Sequence, residues 1–369
     1  MVSIERSKID QAIKRMNQLQ SSAWKGPFED GVSQSILQRY MGCKERFRCQ
    51  YVLGLHEVDK FVVAIEYGQM WHICEEFKAA NRMEDISQEL VRYVKELCKQ
   101  FPFDQKQILK WYNVCKVQFP IYCDYWKEQE DELNRKPFFQ EKVFEIPYEL
   151  PSGRTVVLRG KMDGVDIIKN KYWLQENKSK GTVSIPSIQK QLTFDLQSMM
   201  YLIALQHFVD ESEVGGIRYN VVRRPLSGGK GTIRQKKGSK NVPAETDDEY
   251  YERLKNILAE CPEEYYFRWK VPIKRSEIDK YRHEFFNPIL ENLLDDYEWW
   301  NNCIQYGNPV FDYQTRKVSF PHHQNRHWRY PYGPFNPVSR GMDHYLDDFI
   351  DTGNKVGLIR RNKFFGELD

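Results

Sequence analysis

The feature that most limits how this chain can fold is a run of three β-type segments between residues 141 and 179, joined by very short connections. EKVFEIPYEL, RTVVLRGKMDGVDII and KYWLQENKS carry strand-forming residues, and the Pro-Ser-Gly and Lys-Asn-Lys between them are turn chemistry. Strands joined so tightly run antiparallel as hairpins. IQKQLTFDLQSMMYLIALQHFV follows with helical periodicity over 188–209, then the strands GIRYNVV and, later, EYYFRWKVPI. Helices are expected over 33–53, with Ser33 as N-cap, over 66–80, and over 84–134 with breaks near Pro102 and Pro120. Two more are expected near 246–260 and over 276–301. The order (helices, three strands, a helix, a strand, an α-rich end) fits an α/β fold in which helices pack on a small mixed sheet.

Composition narrows the class. Apolar residues make up 41% and aromatics 14% of the 369 residues, enough for a substantial core. No apolar run approaches the roughly 18 residues of a membrane span. The opening MVSIERSKIDQAIKRMNQLQ reads as an exposed amphipathic helix without the apolar block of a signal peptide, so a soluble, cytoplasmic protein is expected. The eight cysteines form no CxxC pair and read as reduced thiols. Net charge is only +3, but residues 223–240 hold seven basic side chains and no acidic one.

Strand alternation places Glu176 and Lys178 on one face with Tyr172 and Leu174. An isolated Glu-x-Lys is usually a surface strand with a cross-paired charge. Here Asp163 lies thirteen residues upstream, where a hairpin brings it beside Glu176, and two carboxylates so placed suit one or two Mg²⁺ or Mn²⁺ ions. Asp163 also reads as an ordinary turn residue before Gly164, and Asp166 is a competing ligand. Gln197 and Tyr201, four apart, share one face of a largely apolar helix, either as a satisfied core pair or aimed at something specific. Gly68 and His72 stand one turn apart, and His72 is either a packing residue or an imidazole ligand.

In this order, Gly68 to His72, Gly160 to Asp163, Glu176 to Lys178 and Gln197 to Tyr201 resemble the GxxxH, GxxD, ExK and QxxxY motifs of RecB-like nucleases of the PD-(D/E)XK superfamily. The resemblance covers roughly residues 31–270, and SQSILQRYMGCKERFRCQYVLGL is similar to the family's N-terminal helix. It implies a restriction-endonuclease-like core over 31–270, with a helical insertion at 84–134 and a basic loop at 223–240. An N-terminal helix (1–30) precedes that core, and a helical and irregular extension (271–369) packs on it. The resemblance further implies His72, Asp163 and Glu176 as metal ligands, completed by the backbone carbonyl of Asn177. Lys178 is then the catalytic lysine, and Gln197 and Tyr201 position DNA or the neighbouring side chains. The implied activity is Mg²⁺- or Mn²⁺-dependent hydrolysis of DNA, single-stranded or at duplex ends, by an exonuclease of recombination, repair or phage DNA metabolism. A structure- or site-specific endonuclease and a catalytically silent DNA-binding protein are the alternatives.

Three further expectations attach to particular segments. Arg223, Arg224, Lys230, Arg234, Lys236, Lys237 and Lys240 either grip phosphates or belong to a solvated loop. Trp111, Tyr112, Tyr122, Tyr125 and Trp126 either stack unpaired bases or build the core. Several relatives carry four cysteines for an iron–sulfur cluster. This chain offers Cys43 but no cysteine in FPHHQNRHWRYPYGPFNPVSRG, so no cluster is expected and aromatic burial closes the tail instead. A zinc site on His323 and His327 lacks a cysteine or acidic partner at ligand spacing.

Overall fold

The computed structural model describes residues 24–47, 50–51, 54–57, 59–192, 194–228, 231–239, 243–305 and 358–360. In chain order it contains α1 (Gln34–Gly42), α2 (Lys44–Phe47), β1 (Leu55–Glu57), α3 (Val63–Ala79), α4 (Ile86–Gln100), α5 (Gln105–Trp126) and α6 (Glu130–Leu133). The strands β2 (Lys136–Glu149), β3 (Thr155–Ile168) and β4 (Lys171–Lys180) follow, then α7 (Ile185–Leu192), α8 (Leu196–Leu205) and β5 (Val214–Arg223). Last come α9 (Asp247–Glu260), β6 (Tyr266–Pro272), α10 (Arg275–Tyr281), α11 (Asn287–Gln305) and β7 (Leu358–Arg360). Among the described residues no helix is long and apolar enough to cross a membrane. The expected N-terminal helix up to residue 23 and the tail histidines, including His323 and His327, lie outside the described residues.

Local chemistry sets several boundaries. The Ser33 hydroxyl accepts the Ile36 N–H and caps α1, as its sequence position suggests, but the helix stops at Cys43, whose backbone is extended. Thr246 and Glu249 form a reciprocal capping box at α9. Two expectations need correction. Pro102 does separate α4 from α5, yet α5 runs straight through Pro120, because Phe119 and Tyr122 around it are buried and their packing outweighs the lost backbone bond. The periodic run 188–209 is two helices: the chain breaks before Asp195, whose carboxylate accepts the Ser198 N–H and starts α8.

One sheet has the order β2-β3-β4-β5-β6. The β3–β4 hairpin turns on Lys169 and Asn170, at φ +52° and +59°. Two left-handed residues make a type I′ turn, whose twist matches that of the flanking strands. β4 and β5 pair in parallel, with Glu176 opposite Tyr219, and α7 and α8 supply the crossover that parallel pairing requires. β6 returns antiparallel to β5. Adjacent residues of β5 reveal what covers each face. Tyr219 Oη donates to Ser198 Oγ of α8 at 2.9 Å, whereas Asn220 Nδ2 donates to Tyr122 Oη of α5. Because strand side chains alternate, α8 and α5 lie on opposite faces.

The chain divides into two compact units: residues 1–59, 143–160 and 279–369, and residues 60–142 and 161–278. These cut across the segments expected from the sequence. In the first unit, Val32 bridges Leu158, Tyr40 and Lys44 both bind Asp296, and Arg154 pairs with Glu291 and Asp295. In the second unit, α3, α4, α5 and α9 pack through Trp71, Leu90, Ile108, Trp111 and Leu254. The aromatics of α5 belong here: Trp111 and Tyr122 are buried, and Tyr112, Tyr125 and Trp126 pack against the same cluster, which is the core reading.

Candidate metal centre

Asp163, Glu176 and their neighbours meet through strand register. The β3–β4 pairing puts Gly164 opposite Gln175, so one further step sets Asp163 level with Glu176 on the same face. The Asn177 N–H donates to Asp163 Oδ2 at 2.7 Å. Asp166, three residues on, falls on the other face. It is fully buried against Arg135 (2.8 Å) and Arg218 (3.5 Å), and so is not part of this cluster.

Helix α3 contributes His72. Its Nδ1 stands 3.7 Å from Asp163 Oδ1 and 3.3 Å from Glu141 Oε1 of β2. Gly68, one turn earlier, lies beside Ser179, where an added Cβ would sit at an ordinary 3.5 Å. From α8, Gln197 Oε1 accepts a hydrogen bond from Lys178 Nζ at 3.0 Å, and Lys178 also pairs with Glu176 Oε1. Tyr201, one turn on, is hydrogen-bonded to the Gln197 side chain and to the Lys161 backbone. His72, Asp163, Glu176, Lys178, Gln197 and Tyr201 therefore converge. The Asn177 side chain turns to the opposite face, towards Gln175 and Asn220.

The electrostatics follow from burying three carboxylates together. Burial, then the charge of Asp163, pushes the Glu176 carboxyl up to about 8 despite Lys178. Burial also raises Asp163. For His72 burial works downward, but Asp163, Glu141 and Glu176 outweigh it and lift the imidazole to about 9. Such a site is short of positive charge. Glu176 Oε2 is fully buried with no hydrogen-bond partner, and one atom each of His72, Glu141 and Asp163 lie within 4.8 Å of one another. Oxygen donors with one imidazole and an orphaned carboxylate oxygen fit a hard divalent cation such as Mg²⁺ or Mn²⁺.

Glu141 is the residue that sequence reasoning missed. Nothing in its spacing marks it, since it is merely the first residue of EKVFEIPYEL. The basic loop divides. Arg223 is buried, stacked over Tyr265 and bonded to Gly228 O, which removes it from the exposed basic surface that was expected. Arg224 Nη1 ties the loop to Ser179 O and Oγ, directly after Lys178. Arg234, Lys236 and Lys237 are exposed, whereas Lys230 and Lys240 lie outside the described residues.

Compared with known proteins, residues 31–277 match the profile of the PD-(D/E)XK nuclease superfamily. No curated protein matches the chain. A solved structure described as "Crystal structure of SSO0001" aligns at 12% identity over 80% of this chain and 92% of that one, with a TM-score of 0.25.

Proposed function

The chain belongs to the PD-(D/E)XK nuclease superfamily, and from that premise we propose that it is a metal-dependent deoxyribonuclease acting as a RecB-like exonuclease on DNA. The observation that carries the reading is the pairing of Lys178 with a buried, half-orphaned Glu176, level with Asp163 and within reach of His72. His72, Asp163 and Glu176 hold Mg²⁺ or Mn²⁺ in this reading. The Asn177 carbonyl joins them: its N–H is directed at Asp163, and the N–H and C=O of one strand residue face the same neighbour. A bound cation supplies Lewis acidity to water and to the scissile phosphate. Lys178 orients the attacking water and offsets negative charge as it develops on the phosphate. Gln197 fixes the Lys178 ammonium, and Tyr201 fixes Gln197. Lys180 and Arg224, at the same strand end, with Arg234, Lys236 and Lys237 on the loop, provide sequence-independent phosphate contacts.

The test uses end-labelled linear and covalently closed circular DNA, single-stranded and duplex, with Mg²⁺, Mn²⁺ or EDTA. Mononucleotide release from linear DNA alone, abolished by EDTA and by Asp163→Ala or Glu176→Ala, is the expected result. Cleavage of closed circles moves the assignment to an endonuclease of the same fold. Metal-independent cleavage, or wild-type rates in Glu176→Ala, overturns it.

A further inference from the structure

Glu141 reaches the site on a backbone that glutamate rarely adopts. It lies inside β2, yet its φ is +46°. The left-handed region is unfavourable for a residue with a side chain and persists only where its surroundings hold it. From Val143 onward β2 alternates exposed and buried positions, and before that point the alternation is lost. This departure places the Glu141 carboxylate between His72 and Lys161, with Oε1 at 3.3 Å from His72 Nδ1 and Oε2 at 2.6 Å from Lys161 Nζ.

The spacing of these groups is that of a coordination shell slightly opened. Around an ion with bonds of about 2.1 Å, adjacent octahedral ligands stand about 3.0 Å apart and opposite ones about 4.2 Å. His72 Nδ1 lies 3.3 Å from Glu141 and 3.7 Å from Asp163, and the three donor atoms fit within 4.8 Å. The unpartnered, fully buried Glu176 Oε2 is an independent observation that points to a cation as the partner of this cluster. We propose that Glu141 is a ligand of the divalent ion, joining His72 and Asp163 from the outer strand of the sheet. The inference rests on the metal-dependent reading above and adds a residue that lies outside its four motifs. The competing role is structural: a carboxylate that merely orients His72. Glutamine separates the two, because its amide oxygen still accepts a bond from an imidazole N–H but is a much poorer metal ligand.

The experiment measures Mn²⁺ affinity of the full chain without nucleic acid, by calorimetry and by the paramagnetic resonance signal of free Mn²⁺. Glu141→Gln and Glu141→Gly are compared with wild type and with Glu145→Gln, an exposed residue of the same strand that pairs with Arg159. Glycine adopts positive φ without strain, so Glu141→Gly keeps the proposal open to refutation should the glutamine variant fail to fold: wild-type Mn²⁺ affinity in it overturns the ligand role. The expected result is a loss of Mn²⁺ affinity of about tenfold or more in both Glu141 variants, with Glu145→Gln unchanged. Either folded Glu141 variant binding Mn²⁺ as wild type does, or an equal loss in Glu145→Gln, overturns the role of Glu141 alone. A wild-type chain that binds no Mn²⁺ overturns the metal-dependent reading itself.

Discussion

Glu132→Gln should destabilise the protein strongly while leaving the candidate metal centre intact. Glu132 is the hub of a buried ionic network on the α5 face of the sheet, away from Glu176. Its oxygens lie 2.7 Å from Lys78, 2.8 Å from Arg218, 2.9 Å from Arg268 and 3.3 Å from Arg135. Arg218 is fully buried, with Asp131 at 3.1 Å as a further partner. Glutamine keeps the shape but deletes the charge, leaving four cations to share the remaining carboxylates. Removing one partner from a buried ion pair costs about 3–5 kcal/mol, a large part of the 5–15 kcal/mol typical of a folded domain.

The pH dependence gives a sharper check on that figure. Burial alone would raise the Glu132 carboxyl, but Lys78, Arg135, Arg268 and Arg218 hold it well below its usual 4.5. A depressed carboxylate contributes stability that is fully present above its unfolded pKa and is lost as pH falls towards the folded value. Urea denaturation followed by far-ultraviolet circular dichroism should therefore show a constant wild-type advantage between about pH 6 and 8. Below about pH 4.5 the advantage should shrink by up to about 1.4 kcal/mol per pH unit. A difference under about 1 kcal/mol at pH 7, or one that persists unchanged at pH 3.5, would refute the account.

Three other outcomes are expected. Lys178→Met should lower the cleavage rate by about 10²–10³-fold with Mn²⁺ affinity retained, and a rate near wild type in single-turnover assays removes Lys178 from catalysis. Replacing Arg234, Lys236 and Lys237 together with alanine should weaken binding to every DNA sequence. It should also flatten the slope of log affinity against log salt by up to about 2.7 for duplex, so an unchanged slope makes the segment a solvated loop. Thr246→Ala breaks the capping box of α9 and should cost about 1 kcal/mol in urea denaturation, with no change in DNA binding.

Much of the scaffold was legible because its signals are local. Ser33 competes for an orphan N–H whatever packs nearby. Lys169 and Asn170 close a two-residue turn, and that turn sets a register in which counting alone brings Asp163 level with Glu176. The spacing of Gln197 and Tyr201 places them on one face of a helix in any environment.

Other features depended on partners distant in the chain. Pro120 stays helical because Phe119 and Tyr122 are buried, and Asp195 interrupts an apolar run that periodicity alone reads as one helix. Arg223 belongs to a basic run in the sequence, yet Tyr265 and Gly228 O hold it inward. Asp166 competed with Asp163 as a ligand in the sequence, and packing gave Asp166 to Arg135 and Arg218 while Asp163 came within 3.7 Å of His72. Glu141 was invisible for a stronger reason. Its position depends on a left-handed backbone angle that no sequence rule assigns to glutamate and that only the surrounding packing sustains. Sequence thus determined which face each side chain presents, since that follows from the period of its own strand or helix. Tertiary structure decided what each face meets, because strand pairing and packing join residues whose separation along the chain carries no record of the contact.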